Sequence, residues 1–196
     1  MDRYLLAVDR LSAWVGKAFS WCIVGLTAMV CYDVVARYMF RAPTSWGLDV
    51  SLMLYGTLFM MAGAYTLSRN GHVRGDVLYR FLSPRAQAAL DLALYLLFFL
   101  PGIAALAWFG VGFAQDAWAI REQSQTTSYG LPVYPMKTVI PIAGALLLLQ
   151  GLAEIARCVI CLRTGDWPRR LHDVEELDVE EMKASLASSA RETGVR

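Results

Sequence analysis

Runs of apolar residues with almost no charge at their centres recur along the chain, from Ala18 to Ala36, Leu48 to Leu67, Leu90 to Ala114 and Thr138 to Leu162. Each reaches the ~20 residues that an α-helix needs to cross ~30 Å of hydrocarbon. A peptide group finds no partner in lipid, so a spanning segment must bond to itself and is predicted to be helical. The pattern therefore predicts an all-α integral membrane protein with four transmembrane helices.

Between the runs the chain changes character. Over 1–17, Tyr4, Val8, Leu11 and Val15 recur at helical spacing beside Leu5 and Trp14, with Asp2, Asp9, Arg10 and Lys17 opposite. Such a segment suits a helix lying flat among lipid headgroups, anchored by Trp14. It equally suits a continuous cytoplasmic extension of the first span. The run from Ala18 has span length and no small-x-small cleavage site, so a retained helix is expected. In the first loop Ala42-Pro43-Thr44 reads as a turn, Trp46 sits at the interface, and Thr44 or Ser45 is placed to cap the second helix. Ser83-Pro84 reads as a cap and first-turn proline for the third. Pro101 frees the Leu97 carbonyl and should bend that helix. The second outer loop, 115–136, ends in an extended stretch from Leu131 to Pro135. Beyond Trp167-Pro168 the tail, 163–196, turns acidic and is expected to be a short helix or disordered.

Lys and Arg set the orientation. Arg3, Arg10 and Lys17, then Arg69, Arg74, Arg80 and Arg85, then Arg157, Arg163, Arg169 and Arg170 fall on one side. Arg37, Arg41, Arg121 and Lys137 fall on the other. Both termini are predicted to face the cytoplasm. A mean hydropathy of +0.42 and 57% hydrophobic residues put the chain outside the soluble globular class. The net charge of +1 excludes a strongly basic nucleic-acid surface.

Candidate chemistry is sparse. The two histidines, His72 and His172, lie in a loop and the tail, so a haem held between facing helices is excluded. Cys158 and Cys161 have C-x-x-C spacing, but at the cytoplasmic end of the fourth span, in a reducing compartment. Asp33 and Arg37 are spaced for an intrahelical pair, and Asp49 is placed at the same depth, within reach of Arg37 or Arg41. Glu154 and Arg157 form an i, i+3 pair, and Gln150 is expected to hydrogen-bond a neighbouring helix. Gly56, Gly63, Gly144, Gly102, Gly110 and Gly112 permit close helix approach. No nucleophile–base pair, phosphate loop or metal cluster is visible, so neither catalysis nor a cofactor is expected.

The loop reads Gly71-His72-Val73-Arg74-Gly75-Asp76-Val77-Leu78-Tyr79, followed by Leu82-Ser83-Pro84-Arg85. Upstream stand Arg37-Tyr38-Met39-Phe40 and Ser45-Trp46-Gly47-Leu48-Asp49; downstream, Met136-Lys137, Ile140-Pro141 and Leu149-Gln150. From about Arg10 to Leu162 the chain resembles the DctQ-type small membrane subunit of tripartite ATP-independent periplasmic (TRAP) transporters. Asp49 stands where that family more often has Glu, and Gly75 where it has an aliphatic residue. The resemblance implies a bacterial inner-membrane protein beside a large multi-span permease, with a soluble periplasmic protein delivering the substrate. It implies sodium-driven, elevator-type uptake of organic acids, in which this subunit braces the static scaffold without binding substrate. Under it Arg37, Trp46, Asp49, His72, Arg74, Asp76, Gln150, Glu154 and Arg157 become candidates for partner contact or architecture. Arg69, Arg80 and Arg85 become candidates for anionic lipid headgroups. Two other classes stand beside this one: a self-sufficient four-helix transporter acting as a homodimer, and a membrane thiol oxidoreductase.

Overall fold

The computed structural model describes residues 2–69 and 81–168. Its helices are α1 (Asp2–Ser20), α2 (Cys22–Met39), α3 (Gly47–Ser68), α4 (Pro84–Leu94), α5 (Leu100–Ala119), α6 (Tyr134–Lys137) and α7 (Val139–Thr164), with a π-helical segment, Tyr95–Phe99, joining α4 to α5. The sole β feature among the described residues is an isolated bridge between Gln123 and Pro132. Among the described residues, four helical units are long and apolar enough to cross a membrane: Tyr4–Met39, Gly47–Ser68, Pro84–Ala119 and Tyr134–Thr164. An even number of crossings puts the start and finish of the described chain at one end, here called the terminal end. The loops after α2 and α5 lie at the opposite, distal end.

Pro101 lacks the N–H that Leu97 would normally receive, and the helix answers by slipping register. The turn just before it is π-helical, with the Leu100 N–H donating to the Tyr95 carbonyl. At 36 residues, Pro84–Ala119 is one helical unit. At 1.5 Å per residue that is about 54 Å, well beyond the hydrocarbon thickness. Ser83 caps its start, accepting from the Ala86 N–H at 3.4 Å. The cap expected at α3 is absent: Trp46 precedes the helix with no side-chain cap. Thr44 is engaged elsewhere, on Asp33.

The spans do not close into a bundle around a shared core. α2 packs on α3, α3 on α7, and α7 on the α4–α5 unit, so neighbours follow the order first, second, fourth, third. Burial reflects this. In the most apolar windows of the first and third spans 0% of residues are buried, against 33% in the fourth, which makes α7 the central helix. The seams are built from small side chains. A Cβ on Gly144 would stand 3.1 Å from the Ala107 Cα, so α5 and α7 touch nearly backbone to backbone. Gly102 and Gly112, also expected to serve close packing, have nothing within 4 Å of a Cβ and face open space.

α1 runs into α2 across a single break at Trp21 and lies against α3 and α7. A Cβ on Gly16 would come within 2.5 Å of the Tyr65 Cβ, which fixes α1 tightly on α3. The arrangement is an extension of the first span that packs on protein.

Gly144→Leu should force α5 away from α7 and cost about 1–3 kcal/mol, the usual range for overpacking. Gly112→Leu, into open space, should change stability by less than about 0.5 kcal/mol. Unfolding midpoints of the two variants in mixed micelles test the contrast.

Candidate functional site

The strongest concentration of polar side chains lies where α1 crosses α7. On α7, Gln150, Glu154 and Arg157 are spaced to share one helical face. On α1, Leu5, Val8, Asp9, Ser12 and Gly16 make a second stripe at helical spacing, and it is this stripe that is buried. Arg157, Gln150, Glu154, Asp9 and Ser12 are among the most completely buried side chains of the protein. Arg157 Nη2 donates to Asp9 Oδ2 at 2.6 Å and Nη1 to Glu154 Oε1. Gln150 Nε2 donates to Asp9 Oδ1 at 2.9 Å and to Glu154 Oε1 at 3.3 Å, while its Oε1 accepts from Ser12 Oγ at 2.9 Å. Arg157 Nε is the buried side-chain N/O atom left without a partner among the described residues. Leu5, Val8 and Ala153, with Ala156 and Ile160 against them, form the apolar floor of the contact.

Charges taken from water must meet partners, because an isolated ion in a poorly polarisable interior is several kcal/mol uphill. Here one guanidinium spans two carboxylates, and the amide of Gln150 joins both helices. The cluster is closed to solvent and its groups face one another. Its chemistry is that of a clamp between α1 and α7.

Other candidates lie apart from this cluster. Arg37 donates to Asp33 at 2.8 Å on the exposed distal part of α2, and Asp33 also takes the Thr44 N–H at 3.1 Å and its hydroxyl. Trp46 stacks on Tyr32 with centroids 6.3 Å apart. The expectation that Arg37 or Arg41 would serve Asp49 is corrected. Asp49 is buried and accepts instead from Ser124 Oγ at 2.6 Å and from Thr127 Oγ1, because the second distal loop folds back over the start of α3. Arg69 lies 5.0 Å over the Tyr65 ring, and Arg85 is exposed beside Gly165. Cys158 and Cys161 are buried and form no disulfide, with Cys161 Sγ 3.6 Å from the Pro84 carbonyl. His72, Arg74, Asp76 and Arg80 lie outside the described residues, as do His172 and the acidic tail.

Sequence reasoning missed Asp9 and Ser12 by choosing between two overlapping helical stripes. Of the apolar stripe read from the sequence, Leu5 and Val8 are buried as expected, but Tyr4, Leu11 and Trp14 are exposed, and Asp9, placed opposite, is buried. The usable signal was the polar spacing itself: Asp9 and Ser12 share a face of α1, as Gln150, Glu154 and Arg157 share a face of α7.

A family model described as Tripartite ATP-independent periplasmic transporters, DctQ component, matches residues 26–161, well over half of the chain. The matched range contains Gln150, Glu154 and Arg157 and begins after Asp9 and Ser12. No curated protein matches the chain.

Arg157→Met leaves two buried carboxylates facing each other and should cost about 3–5 kcal/mol. α1 should loosen, with faster tryptic cleavage after Arg10 and Lys17. Replacing Asp9, Gln150 and Glu154 by Leu and Ser12 by Ala in the same variant should recover most of that loss, since a fully apolar contact leaves nothing unpaired.

Proposed function

The chain belongs to the DctQ family, the small permease component of TRAP transporters, and on that footing we propose that it braces a large permease without handling solute. The observation that carries this reading is the open row of spans. The flanks of α2, of the π-helical segment and of α5 present Val30, Val34, Phe98, Trp108 and Phe109 outward, with no covering helix among the described residues. A row of helices is a poor container for a solute but a broad surface for a partner and for lipid. The buried polar groups support the same role, because the clamp and the Asp49 contact are used up in holding helices and a loop.

In this reading the transporter's large subunit moves by an elevator mechanism, is driven by sodium and takes up organic acids. The small subunit enlarges the static part held by the bilayer. It lies in the bacterial inner membrane with both termini in the cytoplasm, and a soluble periplasmic component docks on the assembled complex. Arg37, Trp46, Asp49, Gln150, Glu154 and Arg157 act as architectural residues. His72, Arg74 and Asp76 shape the cytoplasmic loop or meet the permease, and Arg69, Arg80 and Arg85 face anionic headgroups. The chain itself performs no catalysis. A self-contained exporter is less well supported, since Asp33 near the distal end is already engaged by Arg37 and Thr44.

Affinity purification of the tagged chain from its native membrane in mild detergent should bring down a large multi-span permease at equal stoichiometry. Deleting this chain should abolish uptake by that permease in whole cells. Recovery of the chain alone, or uptake that survives the deletion, would sink the bracing role.

A further inference from the structure

The distal surface carries features that bracing leaves unexplained. The 120–134 connection is a folded loop: the Ser124 N–H donates to the Leu131 carbonyl at 2.7 Å and the Val133 N–H to the Glu122 carbonyl at 3.0 Å. Its base is tied by Lys137 to Glu122, and its turn by Ser124 and Thr127 to the buried carboxylate of Asp49. Withdrawing a carboxylate from water to fasten a surface loop is an unfavourable arrangement unless the loop's shape matters. The loop so held presents Gln125, Thr126, Ser128 and Tyr129 outward.

Charge at this end is distributed unevenly. Asp33 is paired with Arg37, Glu122 with Lys137, and Asp49 is buried. Arg41 and Arg121 remain, both exposed, and neither guanidinium has a partner among the described residues. Both stand just past a helix end in left-handed backbone, at φ 52° and 48°. That position favours glycine, because a Cβ crowds the neighbouring carbonyl. Each follows a large exposed apolar residue, Phe40 at 73% and Ile120 at 72% exposure. The remaining exposed carboxylate, Asp116, lies more than a turn deeper along α5. A strained residue whose side chain the fold itself does not use points to a use outside the fold.

We propose that the distal face is a docking surface, in which the fastened 120–134 loop, Arg41 and Arg121 receive an acidic patch on a soluble protein. This rests on the TRAP reading, where the distal side is the periplasm and the soluble component is the partner. Lipid headgroups could take the two arginines but have no use for a pre-shaped polar loop. A protein partner does, because a rigid surface lowers the ordering cost of association.

The test uses the complex of this chain with its permease in nanodiscs, and the purified soluble component of the same transporter as probe. The double variant Arg41→Gly/Arg121→Gly should bind that component about tenfold more weakly at low salt, with the gap narrowing at high salt. Its thermal midpoint should hold or rise, because glycine relieves the left-handed backbone. Arg41→Lys/Arg121→Lys should keep most of the affinity. Unchanged affinity in the glycine variant overturns the proposal. Loss of co-purified phospholipid with affinity intact also overturns it and makes the arginines lipid anchors. Should no permease complex assemble, the bracing role falls instead, and the same variants are scored on this chain alone in nanodiscs.

Discussion

Arg157 carries a charge that the packed end of α7 cannot solvate, so its guanidinium must be met by the chain itself. Asp9 and Glu154 meet it at its two terminal nitrogens, and Gln150 donates to both of those carboxylates. The consequence reaches beyond one contact. Asp9 sits on α1, so the ion pair draws that helix onto the protein and settles its rotation. Ser12 and Gly16 follow because the helix must then come close. Tyr4, Leu11 and Trp14 are left outward by the same rotation. One desolvated cation thus decides which face of α1 is inside.

The same constraint, that hydrocarbon offers nothing to a polar group, organises the spans. Every backbone is helical, and where Pro101 removes a donor the register slips into a π turn. Asp33 and Asp49 lie near the distal end, each held by hydroxyls or by an arginine. With no hydrophobic drive between helices inside lipid, the seams rely on backbone approach at Gly144 and Gly110. Such seams need only neighbours, and a row of helices supplies them without a common core.

A row has two uncovered sides, and that is the link from architecture to function. A protein built to hold solute would turn polar groups toward an internal cavity. Here the buried polar groups face one another across helix contacts, and the large apolar side chains face out. A part that stiffens a larger assembly should combine these properties: internal clamps that resist bending, and broad surfaces for a partner and for lipid.

The chain by itself determined the number of spans and their helical nature, because a run of ~20 apolar residues admits one solution in a bilayer, and its loop and span-end motifs carried the resemblance to the family. It also placed Glu154 beside Arg157 and Asp33 beside Arg37, since helical spacing is local information. The order of spans in space was not legible, nor was the partner of Asp49, which comes from a loop far along the chain. The burial of Asp9 was hidden by a competing apolar stripe of the same period. Periodicity says which residues share a face but not which face meets protein. Only tertiary packing decides that, because the choice turns on where Arg157 finds its counter-charges.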